Sequence, residues 1–246
     1  MRCDVSEQPE YLRVSVWRGA GVQGAYEDFD VPAQANQTIL DVVSYIQQYL
    51  DPSLSYRFAC RVGMCGSCAM MVNGEPRWTC RTHVKKVTQK GELRIAPLRN
   101  LPVIKDLAAD MDPFFDKWVK AGGVHAPSRS RHDEMAKVDP HSEARQAANA
   151  GIECINCAVC HAACDTITNN PLYPGPAPLQ RVWTLYNDER VQDRENLLQH
   201  VLGEGGCLDC HSQGSCTRYC PNELNPLQAI AGLKRAGLWQ WRKAGG

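Results

Sequence analysis

The sequence lacks several things, and each absence narrows what the chain can be. No apolar run approaches the roughly 20 residues that a helix needs to cross a bilayer. Membrane contact is therefore expected to be peripheral or through partners, not through the chain itself. Net charge is also missing: lysine plus arginine equals aspartate plus glutamate at 27 each over 246 residues. Bulk electrostatics gives no reason to expect nucleic-acid binding. The opening MRCDVSEQPE has no hydrophobic h-region and carries early acids, so neither a secretory signal nor a transit peptide is expected. There is no nucleotide-binding glycine fingerprint and no nucleophile elbow. Two cysteine runs aside, no repeat of 20–50 residues stands out. Nothing here is equipped for organic chemistry on its own.

What the chain does have is 13 cysteines. They cluster at C-x2-C and C-x4-C spacings without an export signal. In a reducing compartment that favours metal ligation over a disulfide framework. Seven histidines are present, but none forms a His-x3-His partner for a cysteine pair. A zinc-stabilised interaction module with four thiolates per site stays possible, and iron–sulfur chemistry leads.

Along the chain, the first hundred or so residues read as mostly strand with one helix. YLRVSVW (Tyr11–Trp17) and YEDFDV (Tyr26–Val31) alternate apolar and polar residues. TILDVVSYIQQYL (Thr38–Leu50) has helical spacing, with Thr38 as N-cap. CAMMVNGEPRWTC forms a hairpin about Asn73-Gly74, and ELRIAPL (Glu92–Leu98) is a last strand ended by Pro97. Two hairpin-like pairs crossed by a helix suggest a small β-grasp domain. VIKDLAADMDPFFDKWVKAGG is expected to form one or two helices ending at Gly122-Gly123. The polar stretch VHAPSRSRHDEMAKVDPHSE reads as a surface connection. LQRVWTLYNDER, DRENLLQHVLG and NPLQAIAGLKRAG look amphipathic and helical, with Pro226 suited to a first turn. The expected class is α+β: an N-terminal β-grasp (plant-type ferredoxin-like) domain over 1–106, then an all-helical bacterial-ferredoxin-like domain over 107–246.

The first cysteine constellation is Cys60, Cys65, Cys68 and Cys80, in CRVGMCGSC and the hairpin's return strand. C-x4-C-x2-C…C is the plant-type 2Fe–2S spacing. Gly63 and Gly66 allow the positive φ angles with which a loop turns its N–H groups toward negative sulfurs. A zinc ribbon prefers C-x2-C pairs joined by longer spacers.

The second constellation, CINCAVCHAAC, is C-x2-C-x2-C-x3-C at Cys154, Cys157, Cys160 and Cys164. This is the bacterial ferredoxin run, whose fourth cysteine serves a neighbouring cluster in two-cluster proteins. The third, GCLDCHSQGSCTRYCPNELNP, supplies Cys210, Cys216 and Cys220-Pro221, with Gln213 where a cysteine would complete the template. Interleaving the runs gives Cys154, Cys157, Cys160 and Cys220 to a 4Fe–4S cluster. Cys164, Cys210 and Cys216 remain for a second cluster whose fourth corner falls to Gln213, a poor iron ligand. A cubane with one unliganded corner tends to lose that iron, so 3Fe–4S is expected. Cys3 and Cys207 are left over. Cys3 reads as a bystander near the terminus, and Cys207 as a free thiol, with a folded-back loop placing it at the open corner as the alternative.

CRVGMCGSC in a β-grasp half, followed by C-x2-C-x2-C-x3-C and C-x5-C-x3-C-P, resembles the iron–sulfur subunit of the succinate dehydrogenase/fumarate reductase family. The resemblance extends to LRIAPLRNLPVIKDLAADM, which looks like that family's interdomain junction, and covers nearly the whole chain. It implies an electron wire without catalytic residues of its own. Electrons would pass between the FAD of a flavoprotein partner and a quinone at a membrane-anchor subunit, through 2Fe–2S, 4Fe–4S and 3Fe–4S centres. It further implies a peripheral position on the cytoplasmic face of a bacterial inner membrane, leaving open whether the anchor carries haem. His211 matches a histidine that ubiquinone-reducing members place on the quinone side of the 3Fe–4S cluster; the plainer reading is an exposed helix-end histidine. Those members carry a tryptophan five residues after the last cysteine of the first run, where this chain has Asn169. CHAACDT looks more like menaquinone-linked or fumarate-reductase-type relatives. The same relay serving a flavoprotein with another substrate is a further alternative.

Three other features have ordinary readings beside functional ones. Trp239 and Trp241 in LWQWRKAGG suit a membrane interface or anchor contact, or burial on the helical domain. The basic run Arg81–Lys90 reads as a solvated face, with flavoprotein docking as the alternative. His161, lying between two cysteines of the run, reads as structural.

Overall fold

A computed structural model describes residues 11–243; Cys3 lies outside them. The chain divides into two compact units. One runs to Leu98 and takes in Pro102–Asp110; the other joins Arg99–Leu101 to the residues from Met111 onward.

The first unit is a five-stranded mixed sheet. β1 (Tyr11–Ala20) pairs antiparallel with β2 (Gln23–Pro32) in the register Tyr11↔Pro32 to Ala20↔Gln23. α1 (Ile39–Tyr45) continues as a wider π turn over Ile46–Leu50. β3 (Ala69–Val72) and β4 (Glu75–Trp78) form the hairpin about Asn73-Gly74, both at positive φ. A short α2 (Val84–Val87) precedes β5 (Glu92–Ala96). The strand order is β2-β1-β5-β3-β4, with β1 and β5 parallel. Alternation explains the core: Leu12, Val14 and Val16 of β1 are buried with Leu93 and Ile95, against Ile39, Val42, Val43 and Ile46 of the helix. A capping box starts α1. The Thr38 hydroxyl accepts from the Asp41 N–H at 3.2 Å, and the Asp41 carboxylate accepts from the Thr38 N–H at 2.9 Å. Within the basic run, Lys85 and Lys86 are exposed while Val84 is buried.

One expectation is corrected here. VIKDLAAD is not the start of a helix but a hairpin of β6 (Val103–Lys105) and β7 (Ala108–Ala109). Asp106, in the left-handed region at φ 49, makes the turn, a conformation that a helix cannot contain. Its buried carboxylate accepts from the Gly19 and Ser55 N–H groups at 3.0 and 2.9 Å. The turn residue is thus tied into the sheet domain, a long-range tie that local periodicity does not reveal.

In the described residues of the second unit, all named elements are helical. α3 (Asp112–Lys120) is followed by the exposed connection that the composition suggests. α4 (Glu143–Ile152) comes next, capped by the Ser142 hydroxyl. α5 (Val159–Ala162) and α6 (Asp165–Asn169) are single turns on either side of Cys164. α7 (Pro176–Asn187), α8 (Arg194–Leu202), α9 (Ser215–Arg218) and α10 (Pro226–Lys243) follow. Their apolar stripes meet in a core of Leu179, Val182, Leu185, Leu197, Leu198, Val201, Ile230 and Leu233. The linker tripeptide is bound into this unit. Arg99 donates to the Ala162 carbonyl from Nε at 3.1 Å and Nη2 at 3.0 Å. Asn100 Nδ2 donates to the carbonyls of His161 and Cys164 at 3.0 and 3.1 Å. His161, whose ring meets the Asn100 carbonyl at 3.2 Å, has the structural place expected of it.

Candidate cluster sites

In the first unit the loop CRVGMCGSC wraps its own sulfur. Arg61, Gly63 and Gly66 all have positive φ, which reverses successive N–H groups into one concave face. Val62, Met64 and Cys65 donate backbone N–H bonds to Cys60 Sγ at 3.4, 3.2 and 3.3 Å. Hydrogen bonds from the Cys60 backbone, then from the Ser67 hydroxyl and N–H, pull the Cys65 thiol down to about 6. Cys68 and Cys80 lie opposite, buried against Leu40 of α1. Burial, then the Cys68 thiol, pushes Cys80 up to about 12. Cys65 therefore gives up its proton readily, while Cys80 holds its own until a metal's positive charge displaces it.

The second unit sorts its cysteines around two hollows. The larger, about 390 Å³ counting the space open to solvent, is lined by Cys154, Cys157, Cys160 and Cys220, together with Ala177 and Gln180 of α7 and Pro226 of α10. Burial pushes three of these thiols up: Cys154, Cys157 to about 12, and Cys160 well above its ordinary value. The smaller, about 320 Å³ on the same reckoning, is lined by Cys164, Cys210 and Cys216, with Gln213, His211, Tyr173 and Ile230 also on its wall. Burial pushes Cys216 up to about 11, and the Ser212 N–H donates to Cys210 Sγ at 3.4 Å. Such a donor set fits iron–sulfur clusters: soft thiols, backbone N–H groups aimed at sulfur, and room for inorganic core atoms between the ligands. Among the described residues no three or more His, Cys, Asp or Glu side chains are placed to hold a single ion.

Cys207 does not line the smaller hollow. It is fully buried in the helical core, and burial raises its thiol to about 11. His211 is exposed. Asn169 is also exposed, its Nδ2 donating to the Asp165 carbonyl at 2.9 Å to close the turn of α6. Trp239 and Trp241 are 64% and 63% exposed, so burial against the helices is not their role in this chain.

Several residues at these sites carried no sequence signal. Asn156, Ala158 and Ser212 sit at positive φ inside the cysteine runs, doing there what glycine does in the first loop. Lys234 on α10 donates from Nζ to the Cys210 carbonyl at 2.6 Å. Tyr173 is wholly buried on the wall of the smaller hollow. Burial, then the neighbouring cysteines with Cys210 first, pushes its phenol far up. An extended loop residue such as Tyr173 belongs to no motif, and only the fold brings it to the cysteines.

Residues 13–116 match the family model of the 2Fe-2S iron-sulfur cluster binding domain, and residues 153–225 that of the 4Fe-4S dicluster domain. A fumarate reductase iron-sulfur subunit of Haemophilus influenzae is 33% identical over 213 residues, 82% of each chain. The mitochondrial succinate dehydrogenase [ubiquinone] iron-sulfur subunit 1 of Oryza sativa subsp. japonica is 35% identical over 202 residues, covering 81% of this chain and 71% of its own. Among solved structures, a chain of the Mycobacterium smegmatis Sdh1 complex in the apo form shares the fold. It has a TM-score of 0.81 at 24% identity, over 93% of this chain and 96% of that one.

Proposed function

The chain belongs to the iron–sulfur subunits of the fumarate reductase and succinate dehydrogenase family, and from that premise we propose a specific division of labour among its residues. It is an electron-transfer subunit that relays single electrons between the FAD of a flavoprotein and a quinone at a membrane anchor. The first unit is a β-grasp domain whose Cys60, Cys65, Cys68 and Cys80 hold 2Fe–2S. In the second, Cys154, Cys157, Cys160 and Cys220 hold 4Fe–4S, and Cys164, Cys210 and Cys216 hold 3Fe–4S.

One observation carries the assignment. Two sequence-distant runs exchange a cysteine, so that Cys220 joins the first run's hollow while Cys164 joins that of Cys210 and Cys216. Gln213 lines the three-thiol hollow and Cys207 does not. When bound, the clusters would supply one-electron steps that no side chain here can perform. The residues contribute ligation, backbone hydrogen bonds to sulfur and a dry wall of α7 and α10 side chains, which together set potential. Exposed beside the smaller hollow, His211 is the quinone-side residue. Asn169, where ubiquinone-linked members of the family carry an aromatic, favours a menaquinone-linked or fumarate-reductase-type setting. Among the described residues no helix is long and apolar enough to cross a membrane. Attachment to the cytoplasmic face of a bacterial inner membrane is then through partner subunits.

The test is iron and acid-labile sulfide content with EPR of the oxidised protein, purified anaerobically. A paramagnetic signal from an oxidised three-iron centre is expected, with roughly nine iron atoms per chain. Full iron loading with a silent oxidised spectrum would mean that the corner at Gln213 is filled. A colourless protein holding zinc and no labile sulfide would end the redox reading.

A further inference from the structure

Tyr173 is a buried polar group that the cysteine assignment leaves without a task. Its side chain is fully buried, yet its hydroxyl makes no hydrogen bond of ordinary geometry, the Cys210 thiol being the polar group beside it. Leaving such a group unpaired in the interior forfeits its hydration with nothing in return. A phenylalanine would fill the same space without that cost, so the oxygen calls for a reason. The ring lies on the wall of the hollow shared by Cys164, Cys210 and Cys216, where a phenol, protonated at neutral pH, can only usefully donate.

The loop that carries Tyr173 is held still. Lys117 of α3 donates from Nζ to the carbonyls of Pro171 and Tyr173, both at 2.6 Å. The Tyr173 N–H donates to the Asn170 carbonyl at 3.2 Å, and Asn170 Nδ2 donates to Asp209 at 2.6 Å. Gly175 follows at φ 98, so close to Ile167 that a Cβ would come within 2.8 Å of it. The ring itself packs in the core with Leu179 and Ile230. The phenol is therefore aimed by its surroundings and not free to turn toward solvent.

We propose that the Tyr173 hydroxyl donates a hydrogen bond to a sulfur of the cluster held by Cys164, Cys210 and Cys216, and so raises that centre's midpoint potential. This rests on the three-cluster reading above. Adding an electron makes the sulfurs more negative, so a fixed donor stabilises the reduced form more than the oxidised one.

Tyr173→Phe, made in the full chain and purified with its partners, removes one oxygen and no packing volume. An EPR-monitored redox titration should show the oxidised-state signal retained at full iron content. Its midpoint should fall by about tenfold in the one-electron equilibrium constant, or about 59 mV. A retained signal with an unmoved midpoint overturns the proposal while leaving the cluster assignment standing. Where the variant loads iron poorly, 3-fluorotyrosine at position 173 decides instead. The shape is kept and the donor strengthened, so the midpoint should rise; no movement overturns the proposal. Absence of any oxidised-state signal in the unaltered protein removes the three-iron reading, and this inference with it.

Discussion

At the scale of single residues, the chain's most consequential position is one where a ligand is missing from a motif. Gln213 shares a hollow with three cysteines, and its amide is a neutral, hard donor where the three proposed ligands are soft thiolates. Gln213→Cys should convert the centre toward 4Fe–4S. The oxidised-state EPR signal should then fall in proportion to the iron gained, and the potential should drop. An unchanged spectrum would mean that the third cysteine run is aligned wrongly. Cys207 gives the matching control. It is fully buried in the helical core, away from the hollow's wall. Cys207→Ala should cost on the order of 1 kcal/mol in stability and leave iron, sulfide and signal intact. Loss of iron in that variant would make Cys207 a ligand. Ala158 presents the opposite case of a residue whose importance is invisible in its type. It adopts φ 59 between Cys157 and Cys160, where a β-carbon is disfavoured by about 1–2 kcal/mol, because the chain must reverse there to bring both thiols inward.

At the scale of elements, the cysteine loops are legible in sequence because their chemistry is local. Spacing and glycine placement identify CRVGMCGSC as a wrapped loop, and the three N–H bonds onto Cys60 Sγ are that wrapping realised. Strand alternation in YLRVSVW and the Thr38 cap are legible for the same reason. The hairpin at Val103–Ala109 is not, because it depends on Asp106 meeting Gly19 and Ser55 from distant parts of the chain. Nor is α4, which has alanines and polar residues in place of large apolar ones and whose cap at Ser142 sits in a polar run. Tyr173 and Lys234 are read only once α7 and α10 have placed them. Gly63 offers the element-scale prediction. At φ +77, its added Cβ would come within 2.8 Å of the Trp78 ring, so alanine there meets both backbone strain and a clash. Gly63→Ala should destabilise the first unit by about 1–2 kcal/mol. It should also reduce the EPR signal of the reduced 2Fe–2S centre while sparing the oxidised three-iron signal. Equal loss of both signals would show that the loop's conformation is not the cause.

At the scale of the whole molecule, positive and negative charge balance at 27 residues each. Bulk attraction to an anionic membrane or a charged partner therefore contributes little, and the proposed attachment rests on local surfaces. The final turns of α10 offer one. Leu238, Trp239 and Trp241 are 59%, 64% and 63% exposed, and Arg242 and Lys243 follow them. Upstream, Ile230 and Leu233 of the same helix are buried in the core, so the helix passes from a packed segment to a largely exposed one. Large indoles beside basic side chains suit the boundary between an apolar and a wet phase, as at the flank of a membrane-anchor subunit. Replacing both tryptophans by serine should leave the cluster signals unchanged and move stability by no more than about 0.5 kcal/mol, because the residues touch little of their own chain. The fraction of the assembled enzyme recovered with membranes, and electron transfer to quinone, should both fall. Electron transfer from the flavoprotein to an artificial soluble acceptor should not. If the variant stays on the membrane and reduces quinone at the original rate, the end of α10 is simply a solvated helix terminus, and the anchor binds another face.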